Sequence, residues 1–163
     1  MYKLLFPVDV SGLSSRIAPK ILAMAEKLDA EVHLLAVAES TEQFRTFYVP
    51  HPSLGVLEKD MTRGMDRKLQ EFQFEYFPDY PKVQRVIKVG DPAGEILDYI
   101  RSAGIDVVIM ASHGRKGLSK VLFGSVTEKV VKGSHVPVMT TRPGEDEPEV
   151  VEVQASGSTH KKM

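Results

Sequence analysis

The chain has no cysteine. Disulfides, thiolate zinc sites and cysteine nucleophiles are therefore excluded, and the composition fits a reducing compartment. An excess of either charge is also lacking: 21 Lys and Arg against 22 Asp and Glu give a formal net charge of −1. No broad basic field draws in nucleic acid or an anionic membrane, so neither is expected as a partner. Nowhere do about 18 apolar residues follow one another, the length of a membrane-spanning helix. The opening MYKLLFPVD carries one lysine, and its apolar run ends at Asp9, too soon for a secretory signal. A cytoplasmic location is the expectation. The Walker A pattern GxxxxGKS/T is absent, and no GxGxxG follows the first apolar segment. No pair of carboxylates stands out as a glycosidase or metal site, and His51, His135 and His160 are scattered without ligand spacing.

What is present is a regular alternation, in a chain of 163 residues that suits one domain with a full-sized core. Lys3 to Val8 (KLLFPV) and Glu31 to Ala38 (EVHLLAVA) are apolar on both faces, as in strands covered by helices on each side. His33, alternating with apolar neighbours, reads as structural. Between these strands Ile17, Ile21, Leu22, Ala25 and Leu28 recur at helical spacing, with Ser14 placed to cap the helix. Pro19 interrupts that pattern; it is tolerated in a first turn and kinks a helix further in.

Residues 39–55 make a connection rich in aromatics, proline and glycine, long enough to serve as a lid or a partner contact. A charged amphipathic helix follows from about Leu57 to Tyr76, with Met61, Met65, Phe72 and Tyr76 on its core side. Val83 to Val89 is a third strand. GDP at 90–92 turns into a helix, Ala93–Ser102, whose Glu95 and Asp98 suit its dipole. Asp106–Met110 is a fourth strand, Ser125 to Lys132 a helix, and Val136–Thr140 a short fifth strand.

Strands alternating with helices predict an α/β fold: a doubly wound, five-stranded parallel sheet with helices on both faces. The order 3-2-1-4-5 buries the most apolar strands, the first and fourth, at the centre. Ligands of such sheets bind beyond the carboxyl ends of the strands, where the winding reverses. Here that crevice lies between Pro7-Val8-Asp9-Val10-Ser11 and Ala111-Ser112-His113-Gly114. The domain spans 1–142. Residues 143–163 form an acidic, then polar tail whose composition fits disorder, while its Val150, Val151 and Val153 leave open a strand added to a sheet edge.

The segment MASHGRKGLSKVLFGS, Met110 to Ser125, leaves the fourth strand and enters a helix. Gly114 and Gly117 let the backbone turn sharply and approach a ligand, and Gly124-Ser125 opens a helix whose first N–H groups favour an anion. Ser125 and Thr127 add hydroxyls, and Arg115, Lys116 and Lys120 add charge. His113 reads as a loop anchor rather than a catalytic base.

These residues carry a resemblance. Over roughly 1–142 the sequence resembles the universal stress protein family, whose nucleotide-binding members carry G-x-x-G, nine residues, then G-S/T. The chain reads Ala111-Ser112-His113-Gly114, nine residues from Arg115 to Phe123, then Gly124-Ser125; PVDVS and HVPVMTTR also match the family pattern. Ala111 departs from it, standing where the first glycine is expected. The resemblance implies an adenine nucleotide, ATP or else AMP or ADP, with Mg2+ carried on its phosphates. Asp9 would take the ribose hydroxyls, with Pro7 and Val8 beside the base, and Val37 would meet adenine through its backbone. Met110, Ala111, Ser112, His113 and Gly114 would line the loop, and Gly124, Ser125, Val126 and Thr127 would offer donors to the phosphates. The resemblance further implies a homodimer paired through the fifth strand, by Val136, Val138 and Thr140, with an unidentified protein partner. A stress-response sensor or regulator is thus expected, not an efficient enzyme. A nucleotide-free interaction module and a weak ATPase stand as alternatives.

Overall fold

The computed structural model describes residues 1–9, 13–39, 53–111 and 124–141, with backbone alone for 53–58. In chain order the elements are β1 (Lys3–Pro7), α1 (Leu13–Leu28), β2 (Glu31–Glu39), α2 (Ser53–Tyr76), β3 (Val83–Gly90), α3 (Pro92–Ala103), β4 (Val107–Ala111), α4 (Ser125–Gly133) and β5 (Val138–Thr141). The five strands form one parallel sheet in the order β3-β2-β1-β4-β5, as the distribution of apolar strands predicts.

Strand alternation divides the core in two. Leu4 and Phe6 of β1 face one way, with Val32, Leu34 and Ala36 of β2, onto Ile17, Ile21 and Ala25 of α1 and Leu69 of α2. Leu5, Leu35, Val108 and Met110 face the other way, onto Ala93, Ile96 and Ile100 of α3 and Val130 of α4. Leu4, Leu5 and Phe6 are fully buried, each such side chain being worth about 1.5–3 kcal/mol of transfer free energy. Met65, Phe72 and Tyr76 lie half-buried against the first cluster, whereas Met61 is exposed and does not join the core.

Several element boundaries differ from the sequence expectation, each for a local reason. Ser14 is not a cap but the second residue of α1, its hydroxyl turned inward to the backbone of Asp9. Pro19 lies well inside α1, on its exposed side. The helix α2 begins at Ser53, inside the 39–55 connection; residues 40–52 lie outside the described residues. α3 begins at Pro92, because Asp91 is its cap: Oδ2 accepts from the Gly94 N–H at 2.9 Å, and Pro92 at the first helical position has no donor to lose. Its other end is closed by Gly104 at φ 65°.

β5 starts two residues later than expected. The Ser134 hydroxyl donates to the Val136 carbonyl at 2.8 Å and accepts from the Val136 N–H at 3.2 Å, so both backbone groups of Val136 are engaged before any ladder begins. The tail beyond Arg142 is outside the described residues.

Candidate functional site

The strands part at their carboxyl ends. β1 and β4 stay in register only through Leu5↔Val108, while β1 and β2 continue to Pro7↔Leu35, with a last rung from the Val8 N–H to the Leu35 carbonyl at 2.8 Å. Beyond it β2 runs on to Glu39, paired with β3 alone. In a strand, alternate residues point their N–H and C=O to the same side. Leu35 faces β1, so Val37 also presents its backbone donor and acceptor to that side, past the end of β1. An adenine edge requires such a donor–acceptor pair. The Val37 side chain meanwhile packs against the second core cluster.

Each lip of the crevice is tied by a hydroxyl. Asp9 is exposed, and its N–H donates to Ser14 Oγ at 2.7 Å. Across the opening, buried Thr127 turns its Oγ1 toward the Ala111 carbonyl, at a long 3.5 Å. That hydroxyl, expected to face a phosphate, is thus directed to the end of β4. Ala111 itself is ordinary strand backbone; among the described residues the non-glycine at positive φ is Asp29. The methyl that replaces the expected glycine therefore imposes no backbone strain.

The start of α4 supplies the site's electrostatics. Its N-cap is Gly124, at φ −69° and ψ 160°, a conformation open to any residue. What glycine contributes is the absence of a side chain: no cap hydrogen bond forms. The first-turn N–H groups of Ser125, Val126 and Thr127 have no intrahelical partner, and the helix dipole adds positive potential there. α3, by contrast, closes its own N-terminus with Asp91. Ser125 is exposed, Val126 half-buried and Thr127 buried. Lys129, one turn in, lies 3.9 Å from Asp91, bridging the two helix starts.

Ser112, His113 and Gly114, with Arg115, Lys116 and Lys120, lie outside the described residues, as do Val10 and Ser11. Among the described residues no three acidic or histidine side chains gather into a cation site. His33 lies in the sheet core, its Nδ1 2.7 Å from the Tyr99 hydroxyl, in the structural place expected of it. Sequence reasoning missed two features, the inward hydroxyl of Ser14 and the Asp91 cap. Only the latter had a signal, Asp-Pro directly before a helical pattern.

A parallel five-stranded sheet in the order β3-β2-β1-β4-β5, wound in both directions from its centre, defines a doubly wound α/β protein. The chain belongs to the universal stress protein family, whose sequence model matches residues 1–142. Universal stress protein MJ0577 of Methanocaldococcus jannaschii is 31% identical over 156 residues, spanning 87% of this chain and 96% of that protein. The solved structure of MJ0577 superposes with a TM-score of 0.70 over 86% of this chain and 95% of its own. UspA from Lactobacillus plantarum, 23% identical, has the same fold at a TM-score of 0.65, covering 86% of this chain and 97% of its own. A universal stress protein solved in complex with cAMP shares the fold at a TM-score of 0.54 and 16% identity, over 86% of this chain and 95% of that one. No helix among the described residues is long and apolar enough to cross a membrane.

Proposed function

We propose that the chain binds ATP at the crevice between β1 and β4 and acts as a homodimeric stress-response regulator in the cytoplasm. One observation carries the reading: the bare N-terminus of α4 opens at the same sheet edge as Asp9 and the outward backbone of Val37. In this reading the Asp9 carboxylate accepts from the ribose hydroxyls, Pro7 and Val8 flank the base, and Val37 pairs with adenine through its backbone. The N–H groups of Ser125, Val126 and Thr127 and the Ser125 hydroxyl take the phosphates, with Gly124 allowing their approach. Met110, Ala111, Ser112, His113 and Gly114 close the site from the β4 side. Magnesium, when bound, screens the phosphate charge.

The role is binding rather than turnover. No general base, arginine finger or Walker-B-like acid is assigned in the sequence, so hydrolysis is at most feeble. Dimerisation runs through the β5 edge, and bound nucleotide alters the 39–55 connection or another surface seen by a protein partner. Acid extraction of the purified protein, with chromatography of the released small molecules, tests the central point: adenine nucleotide in near-stoichiometric amount is expected. Protein that carries none, and that shows no heat with added ATP, overturns the reading. It would leave the nucleotide-free interaction module, for which Ala111 in place of the motif glycine is the specific observation.

A further inference from the structure

Buried polar side chains are scarce among the described residues: Ser14, His33 and Thr127. Two of these three bind backbone at the lips of the crevice. Ser14 is 2% exposed and sits in the first turn of α1, with Ile17, Ala18 and Ile21 behind it in the core. A serine there loses hydration that an alanine would not need, so its hydroxyl must be compensated by what it holds. It holds the N–H of Asp9, at 2.7 Å, five residues earlier and just beyond the end of β1. After the Val8 N–H closes on Leu35, this bond is the next tie on the chain.

We infer that Ser14 is a positioning residue for sugar recognition: it fixes the Asp9 backbone so that the carboxylate meets a vicinal diol. The inference rests on the nucleotide reading above. A carboxylate has two oxygens and only accepts, so it matches two adjacent hydroxyl donors when its Cα is held. Two bonds of that kind are sensitive to displacement by a fraction of an ångström. The side chain of Asp9 is exposed, and the Ser14 tether acts through its main chain. Thr127, tied to Ala111, lies on the opposite lip.

The test separates sugar reading from general packing. Isothermal titration of the full chain with ATP and with 2′,3′-dideoxy-ATP compares wild type with Ser14→Ala. Wild type should prefer ATP. Ser14→Ala should lose about tenfold in ATP affinity, the scale of one hydrogen bond, and change little toward the dideoxy nucleotide, so that the preference collapses. An equal loss for both nucleotides would make Ser14 a packing residue and overturn the inference. So would a wild type that binds both equally, since the diol is then not read. Amide exchange on the ligand-free protein tests the tether without nucleotide: Asp9 N–H should exchange faster in Ser14→Ala, and an unchanged rate overturns the role even where ATP binds. A wild type that binds neither nucleotide removes the proposed function, and this role with it.

Discussion

The Nδ1 of His33 lies 2.7 Å from the Tyr99 hydroxyl, while its Nε2 is buried without a hydrogen-bond partner among the described residues. The nearest counter-charge is Glu31 Oε1, 3.6 Å from Nε2. Burial pushes the imidazole below its usual range. The Glu31 carboxylate opposes this shift, and Lys3 of β1 adds to it. Tyr99, on α3, is raised, first by burial and then by Glu31.

The pH consequence has a definite sign. Above pH ~6.5 the ring is neutral in both the folded and unfolded chain and contributes no pH dependence. As pH falls below that value the unfolded chain takes up the proton first, and stability falls until the folded-state value is passed. His33→Gln should therefore flatten the midpoint of urea unfolding between pH ~7 and 5 relative to wild type. Parallel slopes for the two proteins would refute the assignment.

At the N-terminus of α4, Gly124→Asp should move stability and binding in opposite directions. The new carboxylate caps the helix and faces its dipole, adding a few tenths to ~1 kcal/mol. The same charge occupies the amides proposed for phosphate and repels it, so ATP retention should disappear. Melting curves and nucleotide extraction on one preparation check both halves. A variant that keeps its nucleotide argues against a phosphate site at this helix start.

Gly104→Ala isolates backbone conformation. Gly104 ends α3 at φ 65°, and a Cβ there would meet nothing within 4 Å. The cost is therefore strain alone, about 1 kcal/mol, or roughly 2–4 °C in melting temperature for a domain of this size. Nucleotide affinity should not change, since the cap lies at the opposite edge of the sheet from the crevice.

The ladder between β4 and β5 sets which β5 backbone groups would face a second copy in the proposed dimer. The Val108 N–H bonds to the Pro137 carbonyl at 3.0 Å, so odd-numbered residues of β5 face β4 and Val138 and Thr140 point outward. A twofold antiparallel pairing centred on residue 139 would match Val138 with Thr140 of the other copy and set Met139, 46% exposed, opposite itself. Facing residues in such a non-hydrogen-bonded pair have Cα atoms about 4.5 Å apart, within disulfide range. In this cysteine-free chain Met139→Cys should oxidise to a covalent dimer on a non-reducing gel, and Val138→Cys and Thr140→Cys should do so poorly. Monomeric Met139→Cys under oxidation would remove this register.

The topology was legible because apolar residues fill both faces of Lys3–Val8 and Glu31–Ala38, a pattern that only a doubly covered strand explains. The helix opening at Gly124-Ser125 was legible from its position after a buried strand. Val136 was not placed correctly, because a valine before a proline reads as strand while the neighbouring Ser134 hydroxyl captures its backbone. Met61 fits a helical stripe, but it is 44% exposed and does not join the residues packed on the core. Ser14 shows a wider limit. Capping statistics favour serine at a helix start whether its hydroxyl serves the helix or reaches back to the preceding strand, and only coordinates distinguish the two.

The side-chain-free cap of α4 has a thermodynamic corollary. First-turn amides have no partner within their own helix, and at α4 the cap residue offers them no side chain, so a ligand that binds them adds to the folding free energy. Anything that docks there pulls the folding equilibrium along by mass action, by ~2.7 kcal/mol at a hundredfold excess over its dissociation constant. The heat resistance of this protein would then report the level of its ligand in solution, and the starved chain would be the first to be cleared.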